Sequence, residues 1–140
     1  MFPESAFRCA YRGVGGGVGP VYRALPLILA NGFLRDFNTR GAYGQGTYFA
    51  REARYSLSPT YAKPDTDASG ATSQYLMLCR VLVGEACEGG AMSNRPRQKP
   101  NSESLYESMV DKQANTKIYV LSAGSDRRAY PEFVLRFHCT

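Results

Sequence analysis

The sequence has little of what metal-binding, disulfide-bonded and membrane-spanning proteins depend on. Its 140 residues contain one histidine, and the four cysteines show no CxxC motif and no paired Cys/His spacing. We therefore expect ordinary thiols, without a metal site or a disulfide framework. No run of about twenty apolar residues is present, which excludes a membrane-spanning helix. Residues 1–18 lack a charged segment followed by an apolar one, so we expect an intracellular protein, cytoplasmic or nuclear.

The charge is too evenly spread along the chain to identify a partner. The formal net charge is +5, but lysine and arginine are scattered and form no continuous basic run. Such a balance favours phosphate-bearing or polyanionic partners in general. A small nucleic-acid-binding domain would rest on charge alone, since no nucleic-acid-binding motif is present, and it predicts salt-dependent affinity for DNA or RNA.

The N-terminal part of the chain is rich in glycine. Residues 13–19 read GVGGGVG and Pro20 follows, a composition that favours a flexible loop over a helix or an interior strand. We therefore divide the chain into an irregular segment, residues 1–20, and one folded domain, residues 21–140. The glycine run does not fit a dinucleotide-binding loop, because it lacks a preceding strand and an alternating βαβ order.

Apolar periodicity and turn residues place the elements of the domain. A helix is predicted over residues 21–30, ended by Asn31 and Gly32, and a loop over a pocket at residues 34–43. A short strand at 47–50, a helical turn at 51–56 and a surface loop at 63–73 follow. Residues 75–84 predict a buried central strand, 88–103 a surface connection, and 117–122 and 132–137 two final strands. This non-alternating order indicates an α+β fold.

The tyrosines around the short strand suggest a binding slot. Two rings facing each other can sandwich a flat heteroaromatic group, at about 1–3 kcal/mol per stacked base. Tyr48, Tyr61 and the intervening Ser56 could form such a slot, with the serine bound to a carboxamide.

Five motifs, in order, resemble the catalytic domain of the poly(ADP-ribose) polymerase-like, diphtheria-toxin-type ADP-ribosyltransferases, above all the members that transfer one ADP-ribose unit. They are YGQGTYFA at 43–50, YS at 55–56 with TYAKPD at 60–65, LCRVLVG at 78–84, LYESMVD at 105–111 and AYPEFVL at 129–135. The resemblance spans about residues 25–137. It implies two packed, mainly antiparallel sheets with short peripheral helices, NAD+ as substrate without a metal, and a protein side chain as acceptor.

The same resemblance implies roles for individual residues. Tyr48 would be the tyrosine of the family's His-Tyr-Glu triad and one wall of the nicotinamide slot, Tyr61 would be the opposite wall, and Ser56 would hydrogen-bond the carboxamide. Tyr55, Gly44 and Gly46 would complete the NAD+ site.

Ile118 falls at the third triad position, where chain-extending members have glutamate. An aliphatic side chain cannot act as the base that chain elongation needs. The resemblance therefore implies single transfer, with release of nicotinamide.

The triad histidine has no counterpart at the expected spacing. The nearest match puts Arg12 in its place and Gly13 in that of the glycine whose backbone binds the carboxamide, and the single histidine, His138, is near the end of the chain. This departure leaves two hypotheses open: a mono-ADP-ribosyltransferase, or a catalytically impaired relative that binds NAD+, ADP-ribose or a protein.

Overall fold

A computed structural model of the protein describes residues 6–11, 21–34, 38–122 and 126–139. The elements are, in chain order, β1 (Ala6–Tyr11), α1 (Val21–Asn31), β2 (Thr39–Gly41), β3 (Gly44–Ala50), α2 (Ala53–Ser56), β4 (Asp65–Thr66), β5 (Thr72–Leu82), β6 (Ala86–Glu88), β7 (Ser108–Val110), β8 (Ile118–Leu121), a 3-10 turn (Asp126–Arg128) and β9 (Ala129–Cys139). No helix within these ranges is long and apolar enough to span a membrane.

The strands form a large sheet in the order β4-β5-β1-β3-β8-β7-β6, with β9 paired to β5. A small second ladder joins β2 to β3. Among the described residues the pairing is antiparallel except between β6 and β7. The expected α+β class, with mainly antiparallel sheets and short helices, is confirmed.

Helix α1 follows the prediction from the sequence. Leu25 and Ile28 are buried while Leu29 is exposed, so the helix covers the sheet with one face. The N–H of Gly32 donates to the carbonyl of Ile28 at 2.7 Å, with Gly32 at a φ of +76°, a conformation that glycine adopts readily. The predicted end of the helix at Asn31 and Gly32 is therefore confirmed.

Strand β5 is the long central strand predicted from the aliphatic run at 75–84. It pairs with β1 and β4 and with β9, and its buried positions include Met77, Cys79 and Val81. These side chains belong to one core cluster with the buried face of α1. The same cluster contains Phe49 and Leu121. The apolar run is explained by this position, because a strand paired along both edges lies inside the sheet.

The glycine content predicts an irregular segment over residues 1–20, but part of this segment is a regular strand. Strand β1 lies between β3 and β5, with Tyr11 paired to Phe49 and Ala6 paired to Leu82. The glycine run at 13–19 set the boundary of the predicted irregular segment, but residues 6–11, AFRCAY, form a strand.

Besides β6, three further strands lie in segments for which the sequence predicts a loop or no element. Strand β2 falls within 34–43, β4 and the start of β5 form a hairpin within 63–73, and β7 lies inside the 105–111 motif. Each of β2, β4 and β7 is two or three residues long, too short to show a period-two pattern.

Candidate active site

Tyr48 lies on β3 with its side chain in a second buried cluster. The cluster contains Tyr48, Ala50, Ile118, Val120, Cys87 and Met109. Only 1% of Tyr48 is exposed, and its hydroxyl donates to the carbonyl of Gly44 at 2.5 Å and accepts the N–H of Tyr43 at 3.3 Å. A buried phenol needs such partners. The hydroxyl thereby fixes the turn that leads into β3.

The glycines of the YGQG motif allow close packing around Tyr48. A Cβ atom at Gly46 would lie 2.3 Å from the carbonyl oxygen of Leu121, and one at Gly44 would lie 2.8 Å from Cε of Met109. Gly44 also has a φ of +114°. Both glycines thus lie close to protein atoms of neighbouring segments, and their role in an NAD+ site stays a prediction.

Gly41 was missed by the sequence reasoning. A Cβ atom there would lie 2.6 Å from the Tyr48 hydroxyl oxygen. Because residue 41 has no side chain, the phenol of Tyr48 can occupy this space. The signal in the sequence that could have indicated this contact is a glycine seven residues before the motif tyrosine.

Ile118 lies beside Tyr48 on the adjacent strand. Strands β3 and β8 are antiparallel, with Tyr48 opposite Val120 and Ala50 opposite Ile118. Since alternate residues of a strand share a face, Tyr48 and Ile118 point to the same side of the sheet. Ile118 is 4% exposed and belongs to the Tyr48 cluster. The two predicted catalytic positions are thus brought together.

The start of β8 is held by Asp111. Its Oδ1 accepts the backbone N–H of Lys117 at 3.0 Å and that of Ile118 at 3.2 Å. The aspartate ends the LYESMVD motif, so the motif residue fixes the position of Ile118. The motif alone predicts no role for this aspartate.

Helix α2 and the turn after it carry the other predicted site residues. Ser56 is buried at the end of α2, whereas Tyr55 is 41% exposed. The rings of Tyr55 and Tyr61 stack with centroids 5.5 Å apart and planes at 21°. The opposition of Tyr61 and Tyr48 across a slot stays a prediction.

Gln74 of β5 holds this turn against the sheet. Its Nε2 donates to the carbonyl of Leu57 at 2.9 Å and to that of Ala62 at 2.8 Å. These two carbonyls flank the segment that bears Tyr61, so a single amide group positions the aromatic residue. The loop composition of the neighbouring sequence gave no indication of this contact.

A cavity of about 170 Å³ opens beside Ile118. It is lined by Tyr43, Glu52, Tyr55, Asp111, Lys117 and Ile118. Of the predicted site residues, Tyr55 and Ile118 contribute to this lining. Tyr43 connects the cavity to Tyr48, because its backbone N–H donates to the Tyr48 hydroxyl.

The predicted substitutes for the triad histidine cannot be placed. Arg12 and Gly13 lie outside the described residues, and β1 ends just before them with Tyr11 paired to Phe49. His138 is exposed on β9, paired with Ser73.

The sequence predicts ordinary thiols and no metal site, and the structure describes three of the four cysteine side chains. Cys79, Cys87 and Cys139 are free thiols. Within the described ranges, no group of three or more His, Cys, Asp or Glu side chains could hold a metal ion.

Residues 19–137 match the family model of the poly(ADP-ribose) polymerase catalytic domain. The chain belongs to this family. The five sequence motifs had indicated the same family, and that resemblance is confirmed. The match includes Tyr48, Ser56, Tyr61 and Ile118, and it begins after Arg12 and Gly13.

Similar poly(ADP-ribose) polymerase family proteins include two human relatives. The chain is 36% identical over 118 residues to protein mono-ADP-ribosyltransferase PARP14 and 37% identical over 97 residues to protein mono-ADP-ribosyltransferase PARP12, matches that cover 81% and 69% of this chain. They span only 6% and 13% of those relatives.

The fold also matches a solved member of the family. The crystal structure of the PARP domain of Arabidopsis RADICAL-INDUCED CELL DEATH1 aligns with a TM-score of 0.70 at 20% identity, over 96% of this chain and 68% of that one. At this identity the likeness concerns the fold alone.

Proposed function

We propose that this protein is an NAD+-dependent mono-ADP-ribosyltransferase, which transfers one ADP-ribose unit to a protein side chain and releases nicotinamide. The observation that carries the proposal is the position of Tyr48 and Ile118 on one face of adjacent strands, within one cluster and beside a cavity. The names of the human relatives, both protein mono-ADP-ribosyltransferases, support the same activity.

The aromatic residues are suited to a nicotinamide ring. Tyr61 and Tyr55 already stack as a pair next to the buried Ser56, and a flat pyridine amide gains about 1–3 kcal/mol from such stacking. By resemblance to the family, Tyr48 supplies the opposite wall and Ser56 orients the carboxamide. Holding the ring in one pose favours cleavage of its bond to the ribose, because positioning lowers the activation barrier.

Ile118 determines how many units are added. Its side chain is buried and aliphatic, so it cannot polarise a hydroxyl group of an ADP-ribose that is already attached. The product of the proposed reaction is therefore a single unit at each modified site.

The proposal is tested by measuring nicotinamide release and labelled automodification in the presence of NAD+. We expect both with the wild-type protein and their loss with Tyr48→Ala, since the ring is at the centre of the proposed site. The matched control is Tyr130→Ala, because Tyr130 is 62% exposed on β9 and lies outside the site.

The buried ring of Tyr48 also supports the fold, so a thermal melt is needed to show that Tyr48→Ala is folded. Ser56→Ala provides a smaller change, for which we expect a raised KM for NAD+. Binding of NAD+ by the wild-type protein without release of nicotinamide would contradict the transferase and support the alternative, a catalytically impaired relative that binds NAD+.

A further inference from the structure

Strand β9 forms an edge of the large sheet. Among the described residues it pairs with β5 alone, and every residue from 133 to 139 is exposed. An exposed strand with backbone N–H and C=O groups along its outer side can accept a further strand. We infer that the strand it accepts is β9 of a second copy of this chain, in antiparallel pairing about a twofold axis at Leu135. This inference is independent of the proposed transferase function.

The pairing with β5 shows which part of β9 can accept a strand. Phe133 lies opposite Leu78, whereas Pro131 lies opposite Cys79, so Glu132 is the extra residue of a bulge. Bulges and prolines disfavour pairing along an edge, and both lie near the N-terminal end of β9. From Phe133 onward the ladder is regular and contains no proline. The regular stretch is therefore the open part of the edge.

The side chains of this stretch are complementary to a second copy of themselves. With the axis at Leu135, that residue lies opposite its own copy, and Phe133 lies opposite Phe137 of the second copy on both sides of the axis. The three positions share one face of the strand, and each is at least 40% exposed. Cross-strand pairs of aromatic and aliphatic residues stabilise antiparallel strands. A second copy thus supplies an apolar partner for each of these side chains.

Charge selects this register over its neighbours. An axis at Arg136 would place two guanidinium groups directly opposite each other, which is destabilising. In the inferred register Arg136 lies opposite Val134, on which its aliphatic stem can pack. At the end of the ladder the Glu132 carboxylate lies opposite the His138 imidazole. Since Glu132 already binds Arg80 at 2.8 Å, the apolar pairs contribute more than this contact.

An axis at Val134 is disfavoured for a different reason. It would pair Glu132 with Arg136 and so draw the bulge into the ladder, which leaves only residues 133–135 in regular pairing. The axis at Leu135 keeps residues 133–137 in regular pairing. It therefore forms the longer ladder.

Twofold pairing limits the assembly to two copies. Each copy has one open β9 edge, and the pairing uses both, so the result is a closed dimer and not a fibre. The contact consists of one short strand from each copy. We therefore expect a weak, reversible dimer, as is typical of small interfaces.

The first test is sedimentation of the purified protein at concentrations from about 1 to 100 μM, because a small interface implies micromolar affinity. We expect a reversible equilibrium of monomer and dimer, without larger species. Monomer at every concentration would overturn the inference and leave the edge to a different chain. Growth beyond the dimer would also overturn it, since it would show unspecific association.

A matched pair of substitutions assigns the dimer to β9. Leu135→Asp places two carboxylates opposite each other at the axis, so the dimer should weaken by at least about tenfold. Leu105→Asp makes the same change at a residue that is also 40% exposed but lies outside β9, and it should leave the dimer unchanged. Equal effects of the two substitutions would overturn the role of the strand.

Cysteine substitution tests the register. Opposite residues of antiparallel strands have Cα atoms about 4.5–5.5 Å apart, which is within the range of a disulfide. The background is Cys139→Ser, which removes the exposed native thiol and gives the baseline for cross-linking. In it, Leu135→Cys should form a disulfide-linked dimer at least about tenfold faster than Arg136→Cys under mild oxidation.

Arg136→Cys is the control because its residue is exposed on the same strand but does not lie opposite itself. A dimer that cross-links fastest through Leu135→Cys supports the inference. Equal rates at the two positions, or a faster reaction of Arg136→Cys, would overturn the inferred axis.

Discussion

Tyr48 has a structural role in the free protein and a proposed role in the reaction. In the free protein it joins the N–H of Tyr43 to the carbonyl of Gly44, so it stabilises the turn between β2 and β3. In the proposed reaction the same ring bounds the nicotinamide site. A side chain that is fixed by its own hydrogen bonds is already oriented before the substrate arrives, which lowers the cost of ordering it.

Gly41 tests how closely this site is packed. Gly41→Ala places a methyl group 2.6 Å from the Tyr48 hydroxyl oxygen, so either the phenol or strand β2 has to move. We expect a loss of about 1–3 kcal/mol in the free energy of unfolding, measured by urea denaturation, and a clear loss of transferase rate.

Gly90→Ala is the matched control for that substitution. The nearest atom to a Cβ atom at residue 90 is Oγ of Ser93, at 3.9 Å, which is ordinary contact. If Gly41→Ala were as stable and as active as Gly90→Ala, the close packing around Tyr48 would be refuted.

At the level of elements, the β4–β5 hairpin shows how a polar turn is stabilised. The Asp67 carboxylate accepts the hydroxyl of Ser69 at 2.6 Å and the N–H of Ala71 at 3.1 Å. These hydrogen bonds, that from Ser69 foremost, lower the pKa of Asp67 below its ordinary value. A carboxyl group whose pKa is lowered in the folded state stabilises the protein above its unfolded pKa, and the contribution is lost as the pH falls through the folded pKa.

The expected result is a pH-dependent difference between wild type and Asp67→Ala. The variant should melt at a lower temperature than wild type near neutral pH, and the gap should shrink as the pH is lowered to about 3. Ser69→Ala removes only one donor and should produce a smaller decrease. A gap of constant size between about pH 7 and 3 would contradict the role of the ionised carboxylate.

The elements that could be predicted from the sequence are those with a pattern long enough to be distinctive. Helix α1 has a spaced apolar face and a glycine end, and β5 has an unbroken aliphatic run. The hairpin at Asp67 and strand β1 could not be predicted in the same way, because their local composition is typical of loops or adjoins a glycine run. Their structure depends on pairing with distant strands, which a local window does not contain.

In the candidate site, the residues that could be predicted from the sequence are those that belong to recognisable motifs. Tyr48 and Ile118 were proposed from the resemblance, and the β3–β8 register brings them together. The contacts of Gly41, Gln74 and Asp111 were not predicted, because each depends on a residue that becomes a neighbour only in the folded chain.

At the scale of the whole molecule, β9 presents an exposed apolar surface. Phe133, Val134, Leu135 and Phe137 are each at least 40% exposed on this strand. In the part of the chain that the structure describes, β9 pairs only with β5. A long apolar edge strand offers unpaired backbone groups to other molecules and is prone to association.

Val134→Lys should therefore reduce self-association of the isolated protein at high concentration, measured by sedimentation or light scattering. A charged side chain on an edge strand disfavours pairing with another edge. Ala114→Lys adds the same charge at an exposed position away from β9 and should have little effect. Equal effects of the two substitutions would attribute the change to net charge and not to the strand.

The central claim, single transfer at the site formed by Tyr48 and Ile118, is tested most directly by mass spectrometry of the protein and an acceptor peptide after incubation with NAD+. The account predicts adducts of one ADP-ribose unit at each modified residue, absent from the Tyr48→Ala reaction. Chains of several units on one residue, or no adduct on either substrate, would contradict it.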